Sequence, residues 1–142
     1  MTALDASPGE ARGDRLGQQR ARNRIIDYLG LVSSFEQQLA FELDVPIAYV
    51  PYEVINQWED RVGNDLFASL AALPVLDAAE GEALQMFEPV WERAAEHLPH
   101  DFPLLADVQL LPIWRNLRAA GEEALAVFLR RGRMPDDREV AW

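Results

Sequence analysis

The stretch VPIAYVPYEVINQWEDRV, residues 45–62, decides how the chain is read. A proline fixes its own φ and pushes the residue before it out of helical space, so Pro46 ends whatever helix precedes it. Residues 45–50 then read as an extended connector bounded by Pro46 and Pro51. Pro51 fits the first turn of a new helix, where its missing N–H has no intrahelical partner to lose. That helix turns Val54, Ile55, Trp58 and Val62 inward, leaves Glu59 and Asp60 outward, and stops at Gly63. Tyr49 and Tyr52 flank the corner, each with a ring to bury and a hydroxyl to bond.

Working back from this corner, Ser33-x-x-Glu36 has the spacing of a capping box and opens a helix over residues 34–43, with Phe35, Leu39 and Leu43 on one side. Before it, Ile25, Ile26 and Leu29 mark a helix from about Leu16 to Gly30 or Leu31. Arg12, Arg15, Arg20, Arg22 and Arg24 make that helix basic, as a solvated face or as a strand of charge folded back on the acidic middle. Residues 1–14 lack periodicity and read as a tail.

Working forward, Asn64 and Asp65 form a turn before a short helix over residues 66–73, ended by Pro74. Asp77-x-x-Glu80 starts the clearest helix, whose buried stripe is Leu84, Phe87, Trp91, Ala94, Ala95 and Leu98, with Pro89 on the opposite side. The segment LPHDFP, residues 98–103, is a loop, and Asp107 caps one short turn. Pro112 opens a last helix that carries Ile113, Leu117, Ala120, Ala124, Leu125 and Phe128 inward, with Trp114 at its edge, and ends at Gly132. Gly121 inside it gives a neighbouring helix room to approach. Residues 133–142 are a C-terminal tail whose Trp142 docks on the body. The fold class is all-α: an irregular bundle of five to six helices, one domain over residues 15–132, with a proline-bounded connector.

Composition narrows the chemistry. The 142 residues include no cysteine and no lysine, which removes disulfides, thiolate chemistry, Schiff bases and the phosphate-loop lysine. No apolar run approaches the ~18 residues of a membrane span, and the N-terminus lacks a signal's apolar core, so the cytoplasm is the expected compartment. The net charge of −11 is uneven: +2 over residues 1–24, −14 over 25–112 and +1 over 113–142. Such a middle repels nucleic acid and anionic membrane and attracts a basic partner.

Catalytic patterns are missing. The four serines stand in no Gly-x-Ser-x-Gly elbow, and His97 and His100 stand in neither Glu-x-x-His nor His-Glu-x-x-His. Those two histidines with Glu96 and Asp101 form the one His/carboxylate cluster, and they define an alternative reading as a small metal- or ligand-dependent enzyme. Otherwise no catalytic residue, metal or cofactor is expected. Glu88, Glu92 and Glu96 repeat every four residues along the best helix, where each like-charged neighbour costs roughly 0.2–0.5 kcal/mol that a cationic partner would convert to attraction.

Across residues 28–62, the elements Ser33-Ser34-Phe35-Glu36, Val45-Pro46-Ile47-Ala48 and Val54-Ile55-Asn56-Gln57-Trp58-Glu59-Asp60 resemble a group of small bacterial helical proteins with no established activity. In character the chain is similar to immunity proteins, acidic helical proteins that neutralise cationic toxins. The first expectation is therefore a non-catalytic module for a basic protein partner, with Tyr49, Tyr52 and Trp58 as anchors. Glu59, Asp60, Glu88, Glu92 and Glu96 are its charges. A self-associating homodimer is the remaining alternative.

Overall fold

A computed structural model describes residues 8–62 and 73–142, and in it the chain is all-helical, with no strand among the described residues. The helices are α1 (Pro8–Ser33), α2 (Phe35–Asp44), α3 (Val50–Val62), α4 (Ala78–His97), α5 (Leu105–Val108) and α6 (Pro112–Leu129). The helix expected over residues 66–73 lies, but for its last residue, outside the described residues, as do Gly63 and the Asn64–Asp65 turn.

The core forms where the apolar stripes of α1, α3, α4 and α6 converge. Tyr28, Leu29, Val54, Trp58, Leu84, Phe87, Leu117 and Phe128 are all nearly or fully buried. Helix α6 packs along both α1 and α4. Gly121 sits where α6 meets α1: a Cβ there would come within 2.8 Å of the Val32 side chain, so the expected close approach is real. Helix α3 lies antiparallel to α4, because the Trp91 indole donates to the Ile55 carbonyl while the Trp58 indole donates to Glu88, three residues further along one helix and three back along the other.

Several local expectations shift. Helix α1 reaches back to Pro8 rather than starting near Leu16, since proline is at home in a helix's first turn. The cap of α2 is Ser34, whose side chain accepts from the Gln37 N–H, while the Ser33 hydroxyl donates back to Gly30. Leu39 and Leu43 do not face the core: they are 40% and 79% exposed, and Gln38 is buried in their place. Gln38 can be buried because every polar atom is used. Its amide N–H groups bond the Leu31 and Val32 carbonyls, and its oxygen accepts from Trp114 and Gln109. The same bond draws Trp114 off the helix edge and into the core. The connector after α2 is a tight turn, closed by the Ala48 N–H on the Val45 carbonyl at 3.0 Å, and not an extended run. Asp107 caps nothing; α5 starts from Leu104 without a side-chain cap.

The two chain ends fold on each other. Arg15, Gln19, Asn23 and Asp27 recur every four residues along one face of α1, and each binds the C-terminal segment. Gln19 bonds the backbone of Pro135, Arg138 and Val140; Asn23 bonds Met134; Asp27 pairs with Arg133; Arg15 lies 4.4 Å over the Trp142 ring. Docking of Trp142 is thus observed; Arg15 and Arg20 serve this contact, whereas Arg22 turns to a carboxylate of the acidic middle, Glu80.

Beneath that segment lies a buried ionic knot. The Asp77–Glu80 capping box forms as the sequence suggests, but Glu80 does far more than cap. Arg22, fully buried, grips it with two bonds of 2.8 and 3.2 Å, and Arg131 grips it from α6's end while also donating to the Val75 carbonyl. Arg22 spends its remaining donors on the carbonyls of Phe128 and Gly132. Gly132 has φ of 73°, a turn that glycine makes without strain. Burial pushes the Glu80 carboxyl upward, but the bonds from Arg22 and Arg131, the Arg22 charge and the Asp77 N–H outweigh it and hold the group below the usual glutamate range.

A carboxyl depressed in the folded state adds stability that is complete above its unfolded pKa, about 4.3, and is lost as pH falls through the lower folded value. Glu80→Gln should cost about 3–5 kcal/mol at neutral pH, because Arg22 stays buried without its counter-charge. The gap to the wild type should narrow as pH drops below about 4. Urea titrations at several pH values measure both effects, and a neutral-pH loss under about 1 kcal/mol would contradict the knot.

Candidate functional site

The expected partner-binding residues divide into three groups. Trp58 belongs to the core: it is 1% exposed, 5.4 Å from Tyr28 and 4.9 Å from Phe87 between ring centroids. Truncating an aromatic so placed costs about 3–5 kcal/mol of stability, and a ring inside the core offers no surface. Its role as an anchor is therefore set aside.

Tyr49 and Tyr52 are brought together at the start of α3, half-buried and edge to face with centroids 4.7 Å apart. Both rings touch Phe102 from the loop after α4, and the Tyr49 hydroxyl donates to the Pro103 carbonyl at 2.5 Å. Burial, then Tyr52 and then the Asp101 charge, push the Tyr49 hydroxyl's pKa upward, so it stays a neutral donor at physiological pH. Sequence reading did not single out Phe102. The available signal was a bulky aromatic inside a loop bracketed by Pro99 and Pro103.

The carboxylates form the third group. Glu59 follows Tyr52 by seven residues, two helical turns and about 10 Å along the same face of α3. Asp60 is beside it, and both are exposed. On α4, Glu92 and Glu96 are exposed, while Glu88 is half-buried because its carboxylate accepts from the Trp58 indole. None of these five carboxylates makes an ion pair among the described residues. No hydrogen bond joins them to the tyrosines among the described residues, and Tyr52 shares α3 with Glu59 and Asp60.

Charge segregation extends past these five. Residues 34–60 and 81–110 hold twelve carboxylates against one arginine, Arg93. Elsewhere, Arg15, Arg20, Arg22, Arg131 and Arg133 are engaged with α1, the start of α4 and the C-terminal segment, and Arg118 stacks on Phe35. His97 turns a ring nitrogen to the Arg93 carbonyl at 2.9 Å. Among the described residues, no three histidine or carboxylate groups are placed to hold a metal ion. A groove of about 450 Å³ between α4 and α6 has apolar walls of Ala83, Met86, Val90, Ala120 and Val127, and Glu82, Glu123 and Arg130 also line it. Nor is any described helix long and apolar enough to cross a membrane. The chain matches no family model, and comparison with curated proteins and with solved structures gives no match either.

Glu88 stands where its charge is disfavoured. Burial raises its pKa, the Trp58 N–H opposes the rise, and the Glu92 charge adds to it, leaving the group above the usual range. A carboxyl raised on folding adds stability that is complete below its unfolded pKa and is lost as pH rises through the folded value. Glu88→Gln keeps an oxygen for Trp58 and removes the charge, so its stability relative to wild type should grow as pH climbs from about 4 to 7. Paired urea midpoints across that range read the effect; a flat or shrinking difference would contradict it.

Proposed function

We propose that this chain is a non-catalytic binding module for a cationic protein partner, of the immunity or antitoxin kind, acting in the cytoplasm. One observation carries the reading: Arg15, Arg20, Arg22, Arg131 and Arg133 are held by α1, Glu80 and the C-terminal segment, while Glu59, Asp60, Glu88, Glu92 and Glu96 make no ion pair among the described residues. A field of this sign speeds encounter with a basic surface and discourages nucleic acid. Glu59, Asp60, Glu88, Glu92 and Glu96 steer and pair with arginine or lysine, and Tyr49 and Tyr52 supply ring surface at low entropic cost. The placement of Glu88 in a partly buried, like-charged setting supports a use for that charge outside the fold. The likeness of residues 28–62 to small bacterial helical proteins agrees with this reading without adding a mechanism.

Reversal of Glu88, Glu92 and Glu96 to lysine tests it. With wild type immobilised, a basic protein from the source organism's lysate should bind at low salt and elute as salt rises. Its association with the triple variant should be slower by roughly tenfold or more, and Glu92→Lys with Glu96→Lys, which leaves the Trp58–Glu88 hydrogen bond in place, should keep part of that slowing with little change in stability. Equal capture by both proteins would contradict the proposal.

A further inference from the structure

Two short segments meet at the head of α3 and leave apolar side chains in water. The turn between α2 and α3 carries Ile47, 97% exposed, and the loop between α4 and α5 carries Phe102 at 62% and Leu104 at 72%. Single exposed apolar residues are ordinary on protein surfaces. Here Tyr49 and Tyr52 join the two segments that carry them: each ring centroid lies 5.2 Å from that of Phe102, and Ile47 and Leu104 stand two residues from Tyr49 and Phe102 in the chain.

The backbone at Phe102 adds an independent observation. Its φ is 54°, the left-handed region, and it is the one non-glycine residue there among the described residues. A bulky residue occupies that region only at an energetic cost, and such strain gathers at binding sites. Core packing does not account for it, since the ring stays mostly in solvent. The conformation instead lays a third aromatic ring across the tyrosine pair and keeps its outer side open.

The surroundings decide the partner's chemistry. Asp44, Glu53, Asp101 and Asp107 lie on the same segments or the helix turns beside them, and residues 34–60 and 98–111 contain no arginine. An apolar centre with a rim of one sign fits a segment that is apolar on one side and cationic on its flanks. No strand edge is present among the described residues to pair with an extended peptide. A helix meets both demands with one element, through apolar positions three and four apart and lysine or arginine beside them. We infer that the corner formed by Ile47, Tyr49, Tyr52, Phe102 and Leu104 receives the apolar face of a cationic amphipathic helix of the partner. This rests on the binding reading above and adds the place where the partner's apolar residues sit.

Two synthetic peptides separate the layers: an amphipathic helix of leucine and lysine, and an oligolysine of equal charge. The test variant is Ile47→Ser with Phe102→Asn; asparagine accepts a positive φ, and both sites are exposed, so folding is retained and checked by circular dichroism. Ile47→Ser alone is the second variant, free of any change at the strained residue. Wild type should bind the amphipathic peptide roughly tenfold or more tightly than oligolysine, and the double variant should bring the two within about twofold. Ile47→Ser should remove part of the advantage, and the Glu88, Glu92 and Glu96 reversal should weaken both peptides. Equal binding of the two peptides by wild type would overturn the corner while leaving the charge reading standing. An undiminished advantage in the double variant would overturn the location. Failure of both peptides to bind at low salt would remove both readings together.

Discussion

Everything in this molecule is arranged around one carboxylate that cannot be left alone. Glu80 is fully buried, and an ion in that position costs several kcal/mol unless its oxygens are saturated with charged donors. Arg22 from α1 and Arg131 from the end of α6 supply them, so three helices must reach one point in one register. A buried pair of this kind need not add net stability compared with apolar packing; its product here is position. Once Arg22 is seated, Gln19 and Asn23 stand at the height of the C-terminal segment, and the segment's carbonyls have donors waiting.

The electrostatic consequence follows from that geometry. Positive charge in the sequence lies mostly at the two ends, and both ends are drawn to the same side of the bundle by α1. Away from Asp27, Asp77 and Glu80, the carboxylates of α3 and α4 are left without an ion-pair partner among the described residues, and Glu88 sits half-buried beside Glu92 with its pKa pushed upward. Folding would be easier with a glutamine there. Unfavourable charge on α4 and an aromatic corner with a strained backbone at Phe102 are the two observations on which the proposed docking face rests.

The sequence showed some of this directly, and the reasons are physical. Apolar periodicity revealed the stripes of α3 and α4, because Leu84, Phe87 and Trp91 obey a local rule. The Asp77–Glu80 box and the gap at Gly121 were legible for the same reason. Gln38 was not legible: its burial depends on Gln109 and Trp114, more than seventy residues away, and nothing local distinguishes it from Leu39. Glu80 showed its cap but hid its two arginines, since ionic partners at that separation leave no spacing to read. For the site, the acid positions on α3 and α4 were visible as charge, whereas Trp58 read both as an inward residue of α3 and as an anchor, and its burial decides for the core. Phe102 was invisible as a site residue because its meaning lies in a contact with Tyr49 and Tyr52 across the fold.

The central claim is that uncompensated negative potential is confined to the α2–α5 side. Paramagnetic relaxation of backbone amides by matched cationic and anionic nitroxide probes measures that potential residue by residue. The cationic probe should dominate across residues 34–60 and 81–110, with the two probes near balance over α1 and residues 133–142. A ratio that is uniform around the molecule would contradict the account.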